Sequence, residues 1–357
     1  NKENILTQLP EKFIDEAILT ISSWDNYAPT PLIELNKLND ELKFKNIYYK
    51  DEDKRFDLKS FKALGGAFAV YKIASEKKNI TVSTATAGNH GRSVAWGAQR
   101  LGLKCKIFIS EFVSESRAEA MRGLDAEVIR VKGNYDNSLK ECIKQSKENK
   151  WEIVQDVSWE DYKEVPKLIM AGYTIMVKEI LDQINSNSIT HVFLQAGVGG
   201  MAAAMIAGFA KLSKNIPKFI VVEPENADCV FQSIKNNKPT TVDIKKETIM
   251  GGMSCGDVSS IAWEILKNSA NYCLTVPDEA ISTAVALLAE KRLSNEKIIG
   301  GECAVPGIIA LIGSFNNKEY LDKLGLNEQS NVLLFGCEGL TDNAMYQKLL
   351  SDGLQKI

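Results

Sequence analysis

Histidine is scarce in this chain: His90 and His191 are the only two among 357 residues. A histidine-based metal site or a serine triad therefore has few possible members, and no metal is expected. The seven cysteines (Cys105, Cys142, Cys229, Cys255, Cys273, Cys303, Cys337) are odd in number and scattered, with no CxxC pair. That pattern suggests neither a disulfide framework nor a zinc site, and it suits a reducing cytoplasm. Nor is there an apolar run of the roughly 18 residues that a membrane span needs. The opening residues are polar with no apolar stretch behind them, so a soluble, unexported protein is expected. With 43 basic and 46 acidic residues the net charge is -3, and no basic patch offers itself to nucleic acid or to a membrane surface. Repeats, low-complexity segments and flexible linkers are also missing.

What is present is an ordinary globular composition, 45% hydrophobic and 25% charged, in a chain long enough for two domains. Pro29 and Pro31 hold residues 27–35 extended. Residues 47–50 read as a strand, and the charged loop 51–55 is either a solvated connector or a place where Arg55 faces substrate. From residue 80 strands alternate with helices: strands at 81–84, 106–109 and 127–130, helices at 90–101, 116–121 and 137–148. A second series has strands at 191–194, 219–222 and 331–335 and a helix opening near Met201. Such alternation means parallel βαβ units. The fold expected is α/β, with two interleaved open parallel-sheet domains, a cleft between them, and a long helix over 165–181 joining the series.

Three stretches could carry chemistry. Lys62 falls in the first turn of a helix whose apolar spacing runs through Ala63, Leu64, Ala67 and Phe68, with Ser60 placed to cap it. Burial favours a neutral, nucleophilic amine, whereas an ordinary helical lysine would reach out to solvent. Gly65 and Gly66 weaken the helix, which makes sense if something flat approaches the backbone there. Thr86, Ala87, Gly88, Asn89 and His90 occupy a strand-to-helix junction, where free amides attract a carboxylate; Asn89 can donate to a cofactor hydroxyl, and His90 is a site residue or a polar cap. Gly197, Val198, Gly199, Gly200 and Met201 follow a buried strand and open an alanine-rich helix, the setting of a phosphate cradle. Gly197, Gly199 and Ala202 also satisfy a dinucleotide fingerprint with Glu223 at the ribose position, so a nicotinamide-dependent oxidoreductase competes. Asp156, among Trp151, Trp159 and Tyr162, is a candidate general base. The glycine-rich stretches 250–257 and 300–307 could line a site.

Together these segments resemble a fold-type II pyridoxal phosphate enzyme, the group of threonine dehydratase, cysteine synthase and the tryptophan synthase β chain. Within it, residues 50–66 around Arg55 and Lys62, 88–96, 159–173 and 338–342 are most similar to the diaminopropionate ammonia-lyase family, from about Thr30 to Asp342. The resemblance implies pyridoxal 5'-phosphate as cofactor and Lys62 as its Schiff-base lysine. It puts Asn89 against the pyridine hydroxyl, residues 197–201 on the phosphate, and Glu302 beside the ring with Cys337 as partner of the ring nitrogen. Asp156 matches the carboxylate that takes the α-proton of the L-isomer. It further implies a larger cofactor- and phosphate-binding domain of 1–72 plus 183–357, a smaller domain of 73–182 closing over the substrate, and a homodimer. One position departs from the lyase pattern: Ala87 replaces the aspartate assigned to the D-isomer. A methyl group accepts no proton, and dehydratases of this fold also carry alanine there.

The expected activity is α,β-elimination on a short β-substituted amino acid, 2,3-diaminopropionate to pyruvate and ammonia. A serine or threonine dehydratase, or a β-replacement enzyme of the same fold, is the alternative.

Overall fold

The computed structural model describes residues 2–86, 88–184 and 188–357. Contacts divide the chain into two compact units, one made of Asn1–Pro10, Ala28–Ser60 and Met176–Ile357, the other of Glu11–Tyr27 and Phe61–Ile175. The divisions expected after 72 and 182 thus fall instead after Ser60 and Ile175. The reason lies in packing: the helix Lys62–Glu76 lies against the helices Asn89–Arg100 and Glu164–Tyr173, and Glu11–Ser22 packs on the last of these.

Strands are numbered along the chain: β1 Leu32–Glu34, β2 Asn46–Asp51, β3 Thr81–Ala85, β4 Lys104–Ser110, β5 Glu127–Val131, β6 Glu152–Ile153, β7 His191–Gln195, β8 Lys218–Pro224, β9 Tyr272–Val276 and β10 Asn331–Gly336. Among the described residues, the first unit holds a six-stranded sheet in the order β1-β2-β10-β7-β8-β9. All its neighbours run parallel except β1, which is antiparallel to β2. Val192, Phe193, Leu194, Val221, Val222, Leu333 and Leu334 are fully buried. Such unbroken apolar strands are what a parallel sheet covered on both faces requires. One cover is the helix Gly200–Leu212, buried over its first eleven residues. The second unit holds a four-stranded parallel sheet, β5-β4-β3-β6. No described helix is long and apolar enough to cross a membrane.

Local expectations were met unevenly. The long helix over 165–181 is two helices, Glu164–Tyr173 and Ile175–Gln183. At the break the Thr174 hydroxyl donates to the Ala171 carbonyl at 2.6 Å and the Thr174 amide to the same oxygen at 3.1 Å, a tightened turn that ends the first helix. Ser60 is not the cap of the Lys62 helix. Phe61 holds that place without a side-chain cap, and Ser60 bridges to Glu338 instead. The polar leader contains the helix Glu11–Ser22, with Ile14, Ala17 and Ile21 buried at helical spacing.

Arg55 is neither a solvated connector nor a substrate contact. It is 1% exposed, with Nε donating to Glu52 at 2.8 Å and Nη1 and Nη2 forking onto Glu179 at 2.7 and 2.8 Å. Lys50 meets Glu179 at 2.7 Å, and the Thr30 hydroxyl donates to Glu52 at 2.6 Å. Two cations and two anions thus neutralise each other inside the first unit, tying segment 28–60 to the helix at 175–183. Removing one partner strands a buried charge. Arg55→Met is expected to lower stability by about 3–5 kcal/mol in denaturant unfolding; a change below about 1 kcal/mol would mean that the network carries no such weight.

Candidate active site

In the second unit the reactive groups sit where three helices meet at backbone distance. A Cβ on Gly65 would fall 2.4 Å from Tyr173 Cε1 and 2.6 Å from the Ile169 carbonyl, and one on Gly66 would fall 2.5 Å from Ser93 Oγ. Gly172 answers from the other side, with the Leu64 carbonyl 2.7 Å from its Cβ position. The glycine pair therefore admits neighbouring helices; the flat ligand expected beside it has no room at these two residues. Lys62, the first residue of its helix, is left with its side chain 23% exposed, its ammonium hydrogen-bonded to Asp156 and above the rings of Phe61 and Tyr173.

Asp156 lies just beyond β6. The Gln155 side chain accepts from the Ala85 amide (3.0 Å) and the Thr84 hydroxyl (2.9 Å) and donates to the Ala85 carbonyl (2.9 Å), locking the segment onto the end of β3. The Tyr162 hydroxyl accepts from the Gln155 amide (2.9 Å) and donates to the Ile153 carbonyl (2.8 Å), with its ring stacked on Trp159. Burial alone would raise the Asp156 carboxyl, but the neighbouring His90 and Lys62 outweigh it and hold the group well below the usual carboxylate range. His90 Nδ1 lies 3.7 Å from Asp156 Oδ2.

The junction before the Asn89–Arg100 helix is partly committed to its own architecture. The Thr86 amide donates to the Phe108 carbonyl, and the amides of Gly88 and Gly91 donate to Thr86 Oγ1. The amides of Asn89 and His90 precede the first helical bond, from Arg92 to Gly88. Ala87 lies outside the described residues.

In the first unit, Gly199 takes a left-handed φ of 88° and leads into the helix Gly200–Leu212. That helix makes its first bond from Ala203 to Gly199, so the amides of Gly200, Met201 and Ala202 have no partner within it. The loop is walled closely: a Cβ on Gly197 would lie 3.0 Å from Cys255 Sγ and 3.1 Å from the Gly252 carbonyl. Glu302, Cys303 and Glu338 are buried together, with one oxygen or sulfur of each within 4.8 Å of the others. Cys303 N donates to Glu338 at 3.0 Å, and the Cys337 thiol to the Cys303 carbonyl at 3.0 Å. Glu223 is fully buried, and its two oxygens accept from the amides of Val230 and Phe231 at 2.8 and 2.7 Å; burial pushes its carboxyl up to about 8. Turned inward onto a helix start, it cannot hold a ribose, which removes the support for a nicotinamide enzyme.

The sequence profile of pyridoxal-phosphate dependent enzymes matches residues 24–333. The chain belongs to that family. Diaminopropionate ammonia-lyase from Escherichia coli is 34% identical over 351 residues, covering 92% of this chain and 88% of the relative. A crystal structure of the Escherichia coli lyase in complex with an aminoacrylate-PLP azomethine reaction intermediate superposes with a TM-score of 0.90 at 32% identity, over 97% of this chain and 93% of that one. A biosynthetic L-threonine dehydratase from Staphylococcus epidermidis is 26% identical over 293 residues, 81% of this chain and 67% of the relative.

The residues present fit the family's cofactor. The unpaired amides behind Gly199 form an anion cradle, and a partly exposed lysine stands beside a carboxylate. Beside that pair, His90 Nδ1 is buried with no hydrogen-bond partner. Sequence reasoning places Tyr162 beside Asp156 only as a ring and gives no role to Gln155 or Tyr173, which hold or flank the reactive pair. Tyr162→Phe leaves the Gln155 amide and the Ile153 carbonyl without their buried partner. It is expected to cost roughly 1–3 kcal/mol of stability, measured by denaturant melts; an unchanged midpoint would dismiss Tyr162 as the clamp on Asp156.

Proposed function

We propose that this pyridoxal-phosphate dependent enzyme carries out α,β-elimination on L-2,3-diaminopropionate, yielding pyruvate and ammonia. The observation that carries this reading is the Lys62–Asp156 pair: a lysine and a carboxylate held together as an ion pair, in a chain 34% identical to a diaminopropionate ammonia-lyase along most of its length.

In this reading residues 197–201 hold the cofactor's phosphate, Asn89 its ring hydroxyl and Lys62 its aldehyde carbon, with Glu302 and Cys337 beside the ring. When bound, the cofactor draws electrons from the substrate's α-carbon, so that the C–H bond there can ionise. The substrate carboxylate rests at the start of the Asn89–Arg100 helix, where the His90 amide precedes the first helical bond; the Thr86 and Gly88 amides expected there already donate to the Phe108 carbonyl and to Thr86 Oγ1. Asp156 takes the α-proton. His90 and Lys62 together keep its proton affinity low at rest, and a change in the Lys62 pairing is what makes it a stronger base. Lys62 or a water supplies the proton that the departing β-amine needs. Ala87 offers no acceptor for the α-proton of the D-isomer.

A larger cofactor- and phosphate-binding domain and a smaller substrate-side domain are the division of labour proposed. The seven free cysteines suit a reducing cytoplasm, and a homodimer is the assembly proposed. Dehydration of L-serine or L-threonine is the second reading, favoured by Ala87 and by the likeness to threonine dehydratase.

Purified holoenzyme given L-2,3-diaminopropionate should form pyruvate, with the D-isomer far slower. No pyruvate, together with turnover of L-serine or L-threonine, would transfer the assignment to a dehydratase. Asp156→Asn should lower turnover by about 10²–10⁴-fold, while borohydride reduction still fixes the cofactor to Lys62; unchanged turnover would remove Asp156 from the reaction.

A further inference from the structure

Asp156 has two nitrogenous neighbours, and the reaction above uses only one. The other, His90, is the second residue of its helix and 5% exposed. Its Nε2 lies 2.7 Å from the Val154 carbonyl oxygen. A carbonyl only accepts, so Nε2 carries the proton, and in the neutral ring Nδ1 is a bare lone pair. Nδ1 is buried without a hydrogen-bond partner and lies 3.7 Å from Asp156 Oδ2, the same oxygen that accepts from Lys62. The ring is neutral because burial lowers its pKa by more than Asp156 raises it. The charged groups facing it are Asp156 and Lys62; Tyr162 and Tyr173, near Asp156, stay protonated because burial raises both hydroxyls. A buried lone pair set near a carboxylate is poorly satisfied. One proton on Asp156 satisfies it.

We infer that His90 is a positioning residue for the elimination, whose Nδ1 accepts the proton that Asp156 removes from the substrate and returns it by way of Lys62. The inference rests on Asp156 being the base. The α C–H bond breaks and leaves its electron pair on carbon. The proton goes to Asp156 Oδ2, which then donates to His90 Nδ1 and can cross to it, leaving an imidazolium still anchored on Val154 and a carboxylate. When the β C–N bond breaks, its electron pair departs with nitrogen. The proton runs back through Oδ2 to the Lys62 amine and on to that nitrogen, completing ammonia. Asp156 ends as an anion and His90 neutral, and no oxidant, reductant or further acid is consumed.

His90→Gln retains an amide donor for the Val154 carbonyl and removes the basic nitrogen. Its kcat for L-2,3-diaminopropionate should fall roughly 10- to 100-fold, with KM within about twofold. The acid limb of its kcat/KM profile should move to lower pH, because the proton that the pair takes up on acidification sits on His90, whose neighbour Asp156 is held well below the usual carboxylate range, and that site is gone in the variant. A loss of rate with the limb unmoved would reduce His90 to a structural ring and overturn the proposal. Nitrogen-15 histidine NMR of the unmutated protein gives a readout independent of turnover, with only His90 and His191 to assign. At neutral pH His90 should show a protonated Nε2 and an unprotonated Nδ1, whose shift changes in Asp156→Asn. A ring protonated at Nδ1, or one indifferent to that substitution, would overturn the proposal even if a different substrate proves correct.

Discussion

Backbone contact between helices, permitted by glycine, sets the reactive end of Lys62. The helix that begins at Lys62 meets its two neighbours at Gly65, Gly66, Gly97 and Gly172, where an added methyl would fall well inside contact distance of backbone or ring atoms. Interiors this dense do not shift by fractions of an ångström without cost. Lys62, His90 and Tyr173 each belong to one of these three helices, so their spacing is inherited from the packing. Asp156 alone comes from a loop. It therefore needs its own fixation, through Gln155 to β3 and through Tyr162 to the backbone on either side.

Buried charge is handled in two opposite ways. Around Arg55 every cation has a carboxylate and every carboxylate a cation, with the Thr30 hydroxyl completing the set. Such a cluster resists change, since any altered protonation leaves a charge unpaired in a medium that hydrates it poorly. Around Asp156 the balance is incomplete: one oxygen serves Lys62 while a histidine lone pair stands nearby unused. Groups that must exchange protons need this second kind of environment.

Legibility in the sequence followed the range of the forces involved. Alternating apolar strands and helices are local signals, and the central strands β7, β8 and β10 were readable from Val192, Val221 and Leu333 and their neighbours. The turn at Gly199 was equally plain, because a left-handed φ before a helix calls for glycine. What escaped was decided at a distance. Gly65 and Gly66 answer to Tyr173 and Ser93, and Arg55 to Glu179, more than a hundred positions away. Glu223 matched a ribose-binding acid by spacing, and only its burial against Val230 and Phe231 showed otherwise. The break at Thr174 rests on a hydroxyl bonding back to Ala171, which the apolar period does not register.

The strand order of the first unit bears on how the chain assembles during synthesis. β2 pairs on one side with β1 and on the other with β10, while β7, β8 and β9 join only through β10. Until the ribosome has delivered Asn331–Gly336, the early pair and the later trio share no hydrogen-bonded edge. The strands β3 to β6 of the second unit are complete long before that point. The unit that carries Lys62 and Asp156 can thus form while the unit that carries the Gly199 turn still waits for its middle strand. Closure over so long a span is slow, and for that interval β2 and β7 present open edges to any other chain.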